Sequence, residues 1–148
     1  MSQIVVDANL LIKLVSPEDW SDLTLLLWEE WIEQEIEIVA PFCMVYEATS
    51  ALRAMVTRKV IAAESADVSF RELLAQVSQV TLIEPPHLHE HAWEITKRLQ
   101  LGQVYDAYYV ALAKMLDCEL WTADEKLYRA AMRVYPKVKH IRSAQNKK

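Results

Sequence analysis

The chain has 148 residues, of which 53% are hydrophobic and 25% charged, and its formal net charge is −5. This length and composition predict one compact globular domain. Its 16 Lys and Arg residues against 21 Asp and Glu residues argue against a generic nucleic-acid coat, because phosphate contacts need clustered cations. The single glycine excludes a Walker loop and a Rossmann fingerprint, both of which need several glycines.

No segment of the sequence predicts secretion or a membrane location. The N-terminal segment MSQIVVDAN lacks a basic region followed by a long apolar run, and no apolar run approaches membrane-spanning length. Cys43 and Cys118 stand without CxxC spacing, which is typical of reduced thiols in a protein core. We therefore expect a cytoplasmic protein without a membrane partner.

In chain order, the first predicted elements are a strand at 4–6, one or two helical turns at 9–15 and a longer helix. Ser16 is followed by Pro17 and two acids, a pattern typical of a helix start, so we predict the N-cap of the longer helix at Ser16. This helix runs to about Gln34. Its apolar residues recur at helical spacing and are expected to pack mainly in the core, although a second apolar face could receive a partner: Trp20, Leu23, Leu25, Leu27, Trp28 and Trp31.

The rest of the chain continues the alternation of strands and helices. Strands are predicted at 35–40, 80–83, 119–122 and 138–141, and helices at 43–57, 62–78, 88–99, 103–116 and 124–134. This alternation predicts an α/β fold with a central parallel sheet of four to five strands flanked by helices. We expect the domain to span residues 1–142 and residues 143–148 to form a flexible C-terminal tail.

Four carboxylates occur in or at the end of apolar stretches: Asp7, Glu47, Asp106 and Asp124. Acidic side chains are almost never fully buried without a partner, because moving a carboxylate out of water costs roughly several kcal/mol. Asp7 and Asp124 directly follow predicted strands, at the edge of a parallel sheet where ligands bind. A shared divalent metal would compensate all four charges.

Three of these acids also have a structural explanation when they are taken singly. Asp7 and Asp124 could each cap the helix that follows, which is the more frequent role of Asp between a strand and a helix. Asp106 could complement the dipole of its helix. The neighbours of Glu47 at helical spacing are at best weakly polar, which favours a functional role for that residue.

The chemistry of hard cations connects the four acids. Mg²⁺ and Mn²⁺ prefer oxygen ligands and are held by a few carboxylates together with substrate phosphates. Two such ions can activate water and stabilise the leaving oxygen in an in-line phosphoryl displacement. Carboxylates converging from separate elements suit that task.

The segments around these acids resemble one known family. They read VVDANLLIKL, APFCMVYEATSALRA, QVYDAYYVALAKMLDCELWTADEKLYRAA and VKHI, and in this order they cover nearly the whole chain. They are similar to PIN-domain ribonucleases, especially the VapC-like toxins of type II toxin–antitoxin pairs. The chain departs from the usual pattern before its TAD segment, where Leu116, Asp117 and Cys118 stand without a glycine.

The resemblance implies a PIN fold and Mg²⁺- or Mn²⁺-dependent endonuclease action on RNA. It assigns metal binding and catalysis to the four acids and supporting polar roles to two further residues: Asp7, Glu47, Asp106 and Asp124, supported by Asn9 and Thr122. The acids would hold one or two ions that activate water for attack on an RNA phosphodiester. The resemblance also implies a homodimer and a cognate antitoxin that docks near the early helices.

Basic side chains near the acids are weaker candidates. Lys13 and Arg53, with Arg58 and Lys59, lie within a few helical turns of Asp7 or Glu47 and could contact RNA phosphates, although a solvated helix face is the default. A late basic cluster could help to position RNA: Arg129, Arg133, Lys137, Lys139 and Arg142. The HxHxH pattern lacks an evident third ligand, so we assign no function to its histidines: His87, His89 and His91.

Other functions fit parts of this pattern. The same nuclease could process RNA without any antitoxin, or the chain could be a catalytically inactive PIN-like module that binds RNA or protein. The complete acidic set argues against the inactive module. A phosphatase of the DxD type is disfavoured because Asn9 replaces its second Asp.

Overall fold

The centre of the molecule is a parallel β-sheet. The computed structural model describes residues 2–100 and 104–147, which form one sheet of five parallel strands in the order β3-β2-β1-β4-β5. The strands are β1 (Gln3–Val6), β2 (Glu37–Ala40), β3 (Val80–Leu82), β4 (Glu119–Thr122) and β5 (Val138–His140). The predicted α/β fold with a central parallel sheet is confirmed.

Helices connect the strands. Over the described residues they are α1 (Ala8–Val15), α2 (Ser21–Glu33), α3 (Cys43–Thr57), α4 (Ala63–Val77), α5 (Leu88–Leu99), α6 (Tyr105–Leu116) and α7 (Glu125–Met132). None of them is long and apolar enough to cross a membrane. Gly102, in the predicted break before α6, lies outside the described residues.

The last described residues form a 3-10 helix over Ile141–Lys147 that packs next to α2. Ala144 in this helix is buried. Most of the segment predicted as a flexible tail therefore has helical backbone here, and the domain boundary at residue 142 stays a prediction.

The order of the strands fixes where a ligand can bind. β1 pairs with β2 on one side and with β4 on the other, so the strand order reverses at β1 and β4. Connections leave these two strands in opposite directions, which opens a crevice at their carboxyl ends. Asp7 follows β1 and Asp124 lies just beyond β4, so both acids stand at this crevice.

The core helix α6 is buried against β1 and β4, as its nearly continuous apolar sequence predicts. Alanines alternate with larger residues on its buried surface, which allows close packing of the helix on the sheet. Its fully buried residues are Ala107, Tyr109, Val110, Ala111, Leu112 and Ala113. Because Asp106 lies in the first turn of this buried helix, the packing of α6 on the sheet fixes the position of Asp106.

The predicted helix start at Ser16 is wrong. Ser16 is extended (φ −142°, ψ 133°) at the end of α1, and α2 begins only at Ser21. The Ser21 hydroxyl accepts the Glu18 backbone N–H at 2.9 Å and donates to the Ser16 carbonyl at 2.9 Å. These bonds close a turn over residues 16–20, and Trp20 takes the left-handed φ of 72° at its end. Residues typical of helix caps thus form a turn instead.

The apolar face of α2 is only partly buried. Trp28 and Trp31 lie in the core, as predicted, and the Trp28 indole N–H donates to the Gln79 side-chain oxygen at 2.9 Å. Leu25 was expected to widen this buried face but is 43% exposed, close to the exposed Leu26 and Ile32. Leu25 therefore belongs to a second apolar face that points away from the core.

The missing glycine before β4 leaves a strained residue. Asp117 ends α6 in the left-handed conformation (φ 53°, ψ 46°), which favours glycine. Its carboxylate forms an exposed ion pair with Lys137 at 2.8 Å. The chain therefore departs from the family pattern in having Asp117 where a glycine is usual, while the backbone still takes the left-handed turn before β4.

We expect Asp117→Gly to be more stable than Asp117→Ala by about 1 kcal/mol, because only glycine adopts this conformation without strain. Both variants lose the contact with Lys137, so their difference isolates the backbone. Urea denaturation measures it, and two equal free energies of unfolding would contradict the expectation.

Candidate active site

Asp7 joins the ends of β1 and β4. Its Oδ1 accepts the Leu10 backbone N–H at 3.2 Å, which caps α1, and its Oδ2 accepts the Thr122 hydroxyl at 2.5 Å. Thr122 is fully buried, and its Oγ1 accepts the Asp124 backbone N–H at 3.0 Å. The helix-cap interpretation of Asp7 is correct as local structure, and the same side chain also lines the crevice.

Asp124, like Asp7, both caps a helix and lines the crevice. Its Oδ1 accepts the backbone N–H groups of Lys126 at 2.9 Å and Leu127 at 3.2 Å, which caps α7. The bond from its own N–H to Thr122 connects it to the Asp7 side chain. Capping therefore fixes where this carboxylate sits without removing it from the cavity.

Glu47 and Asp106 enter from helices. Glu47 lies in α3 and is half-buried, and its Oε1 accepts the Tyr109 hydroxyl at 2.6 Å. The Cys43 thiol, one turn earlier in α3, also hydrogen-bonds with Glu47. Asp106 is half-buried in the first turn of α6. The two helices thus bring their acids toward the sheet edge.

One cavity of about 280 Å³ collects these groups. It is lined by the four predicted acids, by Asn9 and Tyr109, and at its rim by Glu18 and Arg58. Thr122 stands behind Asp7 rather than in the lining. Of the predicted set, the structure therefore brings together five residues directly and Thr122 through a hydrogen bond: Asp7, Asn9, Glu47, Asp106 and Asp124.

The candidate RNA contacts Lys13 and Arg53 do not line this cavity. Lys13 is mostly buried and its ammonium contacts the Glu18 carboxylate at 3.2 Å. Arg53 is exposed on the outer side of α3, where it lines a shallower groove. Arg58, from the same predicted basic group, reaches the cavity instead.

The remaining basic and histidine candidates lie at the surface or in ion pairs. Within the late cluster, Arg129 and Arg142 both pair with Glu125, and Lys137 pairs with Asp117. The three histidines of the HxHxH pattern are exposed at the start of α5. There His87 contacts Glu90 at 2.7 Å, and His89 contacts the Tyr108 hydroxyl at 2.6 Å.

Burial raises the pKa values of three of the acids. The pKa of Asp7 rises to about 7, because desolvation outweighs its hydrogen bonds to Thr122 and Leu10, and the charges of Asp124 and Asp106 add to the shift. Desolvation also raises the pKa of Glu47 and of Asp106, with a further contribution from a neighbouring acid in each case. The cavity without a cation therefore favours the neutral forms of these three acids more than water does.

The chemistry of this cavity fits a hard divalent cation. Its donors are carboxylate oxygens and Asn9 Oδ1, which is buried without a hydrogen-bond partner among the described residues. In residues 2–100 and 104–147, no three His, Cys, Asp or Glu side chains are grouped closely enough to hold a metal by themselves. Mg²⁺ commonly takes one or two carboxylates and keeps several waters, so an open donor set suits it.

Two residues that support the site were missed by sequence reasoning. Tyr109 holds Glu47, but nothing in the sequence separates it from an ordinary core tyrosine. His140 is buried, and its Nε2 lies 3.2 Å from the Ala123 carbonyl while its Nδ1 accepts the Arg142 N–H at 3.1 Å. It thereby supports the turn between Thr122 and Asp124. Its only sequence signal is its place in the VKHI segment.

We expect Asp7→Asn to stabilise the metal-free protein at pH 8 but much less at pH 5. The pKa of Asp7 is about 7 in the folded protein and 3.8 ordinarily, so folding favours the neutral acid. The contribution of neutral Asp7 to the free energy of unfolding is complete below pH ~4 and is lost as the pH rises through 7. The stability difference between variant and wild type should grow by about 2–3 kcal/mol from pH 5 to pH 8.

Urea denaturation of the variant and the wild type, in a chelator at pH 5 and at pH 8, measures this difference in the free energy of unfolding. Groups that titrate alike in both proteins cancel from the difference. Asp22→Asn, which neutralises an exposed acid of α2, is the control and should show no such growth. A pH-independent effect of Asp7→Asn would refute the assignment.

Comparison with known proteins agrees with the fold. The model of the PIN domain family matches residues 5–144. No curated protein matches the chain by sequence. Among solved structures, PAE2754 from Pyrobaculum aerophilum is similar with a TM-score of 0.70 and 21% identity, over 99% of this chain and 94% of that one.

Two further structures share the fold at low identity. One is a toxin–antitoxin complex from Klebsiella pneumoniae, with a TM-score of 0.66 and 16% identity over 93% of this chain and 97% of that one. The other is VapC20 from Mycobacterium tuberculosis, described as a toxin that cleaves the sarcin–ricin loop, with a TM-score of 0.62 and 16% identity over 86% and 94%. Because the family model spans nearly the whole sequence and the sheet carries the acids at its switch point, the chain belongs to the PIN domain family.

Proposed function

We propose that this protein is a Mg²⁺- or Mn²⁺-dependent endoribonuclease and the toxin of a type II toxin–antitoxin pair. The observation that carries the proposal is the convergence of four carboxylates, three with raised pKa values, on one cavity at the switch point of a PIN fold. Such charge is costly to keep in a structure unless a cation or a substrate uses it.

Asp7, Glu47, Asp106 and Asp124 would hold the metal, one or two of them directly and the others through its bound waters. When bound, a divalent ion supplies Lewis-acid activation of water and charge stabilisation at the phosphate. The protein's own residues supply position: Thr122 and Leu10 fix the Asp7 carboxylate, and Tyr109 fixes Glu47. The backbone of α7 fixes Asp124. No side chain needs to act as the nucleophile.

Several observations support the toxin assignment. The similar structures include a toxin–antitoxin complex and a toxin that cleaves the sarcin–ricin loop. The exposed Leu25 and Ile32, seven residues apart on one side of α2, offer an apolar face of the kind that a bound protein covers. We assign this face to a cognate antitoxin, and we expect a cytoplasmic homodimer.

The second candidate is a PIN nuclease that processes RNA without an antitoxin, and the cavity supports it equally. A short neighbouring open reading frame that encodes a DNA-binding protein would favour the toxin. The third candidate is an inactive PIN-like module, and in that case RNA stays uncleaved whether or not the acids are neutralised.

We expect Asp106→Asn to lower Mg²⁺-dependent cleavage of total RNA by about 100-fold or more, because a direct metal ligand matters at least as much as the groups that support one. Asp7→Asn should behave alike, and both variants should remain folded because each removes a buried charge. The exposed Asp22→Asn is the matched control. Undiminished cleavage by both site variants would sink the nuclease proposal.

Tyr109→Phe should raise the Mg²⁺ concentration for half-maximal cleavage by about 10-fold, since it removes the hydrogen bond that orients Glu47. Tyr108→Phe is the control, because that hydroxyl contacts His89 on the outside of α6. A Mg²⁺ titration of cleavage distinguishes them. Equal Mg²⁺ requirements in both variants would argue against a role for Tyr109 in positioning.

A further inference from the structure

Two exposed tyrosines stand directly before two of the site acids. Tyr46 precedes Glu47 in α3 and is 76% exposed, and Tyr105 precedes Asp106 at the start of α6 and is 46% exposed. A single exposed apolar side chain is ordinary, whereas exposed apolar groups that lie together mark binding sites. Each tyrosine and the acid that follows it lie on a different helix, so the periodicity of a single helix does not explain why both pairs occur.

Both rings line one open groove of about 800 Å³. Ser50, Ala51 and Ala54 contribute to its lining along α3, and these small side chains leave room for a flat ring beside the tyrosines. We call this the tyrosine groove. Within the described residues, no hydrogen bond ties the hydroxyl of Tyr46 or Tyr105 to the protein, so neither ring is held in place by the core.

The tyrosine groove continues into the acidic cavity. Glu47, Ala51 and Arg58 line both. The two spaces therefore adjoin along α3, at the residues that they share. Arg58 stands at the junction, and its Nε contacts only the Ala54 carbonyl, at 3.4 Å, while no described carboxylate forms an ion pair with it.

The chemistry of this groove is that of a single-stranded nucleic-acid site. Stacking of bases on aromatic rings binds any base and requires unpaired strands, and an unpaired guanidinium suits a backbone phosphate. Stacking also does not depend on net charge. It can therefore supply affinity in a protein whose net charge of −5 gives no general attraction to RNA.

We propose that the tyrosine groove binds the unpaired bases of single-stranded RNA next to the scissile phosphate, with Tyr46 and Tyr105 as stacking platforms and Arg58 on the backbone. This inference deepens the proposed nuclease function and rests on it. It restricts the substrate to RNA that is unpaired for a few nucleotides beside the cleavage point. Duplex RNA cannot present its bases to the rings.

The test measures binding separately from cleavage. Short single-stranded RNA carrying one 2-aminopurine is titrated with the Asp106→Asn protein, whose cleavage is slowed by about 100-fold or more if the nuclease proposal holds. Both anisotropy and 2-aminopurine fluorescence are followed. In this background, Tyr46→Ala and Tyr105→Ala are each expected to weaken binding by about 5- to 10-fold. The double variant should lose about 50-fold and the stacking quench of 2-aminopurine.

Three controls separate stacking from structure. Tyr46→Phe and Tyr105→Phe keep the ring and should bind normally. Trp93→Ala removes an exposed ring on α5 that lines neither the groove nor the cavity, and it should bind normally.

Arg58→Ala should lower the slope of log affinity against log salt by about 0.7, the value for one phosphate of a single strand.

The outcomes are distinct. Unchanged affinity and unchanged quenching in both tyrosine-to-alanine variants would overturn the groove. So would loss of the homodimer in these variants with RNA affinity intact, since the rings would then serve a protein interface. If wild-type protein lacks Mg²⁺-dependent cleavage but ring-dependent RNA binding persists, the nuclease proposal fails and the stacking groove stands.

Discussion

The hydrogen bond between the Thr122 hydroxyl and Asp7 Oδ2 is the constraint on which the site depends. It ties the carboxyl end of β1 to that of β4, residues that are 115 positions apart in sequence. Through the Asp124 N–H it also fixes the start of α7. A buried carboxylate needs such partners, and here the partners come from the neighbouring strand. The two strand ends are therefore held in register by the same group that serves the cavity.

Most of the fold could be predicted, because periodicity reports which faces are buried. The bounds of α3 and α5 agree with the sequence pattern, and β1 and β2 contain the short β-branched runs that predict strands. The start of α2 could not be predicted, because Ser16 and Ser21 are equally good local hydrogen-bonding residues. The choice between them depends on bonds that Ser21 makes to Glu18 and Ser16, which are visible only in three dimensions.

The acids of the site could be predicted, because a carboxylate in an apolar stretch is conspicuous. Their supporting groups could not, since Tyr109 and His140 look like ordinary core residues until their partners are known. The sequence also could not show which of Arg53 and Arg58 lines the cavity. Arg53 lies in α3 and Arg58 directly follows the helix, and both carry the same charge, but Arg58 lines the cavity and Arg53 does not. Sequence distance alone cannot distinguish them.

The strand order has a consequence for the newly made chain. β1, β2 and β3 are neighbours in space and come early in the sequence, so they can pair as soon as they are synthesised. β4, which carries Thr122, follows much later and inserts on the other side of β1. Until then Asp7 lacks its hydroxyl partner, and the cavity lacks Asp124. A chain that has been made only to a point before residue 124 therefore lacks the complete acidic set, and assembly of the cavity waits for β4 and the start of α7.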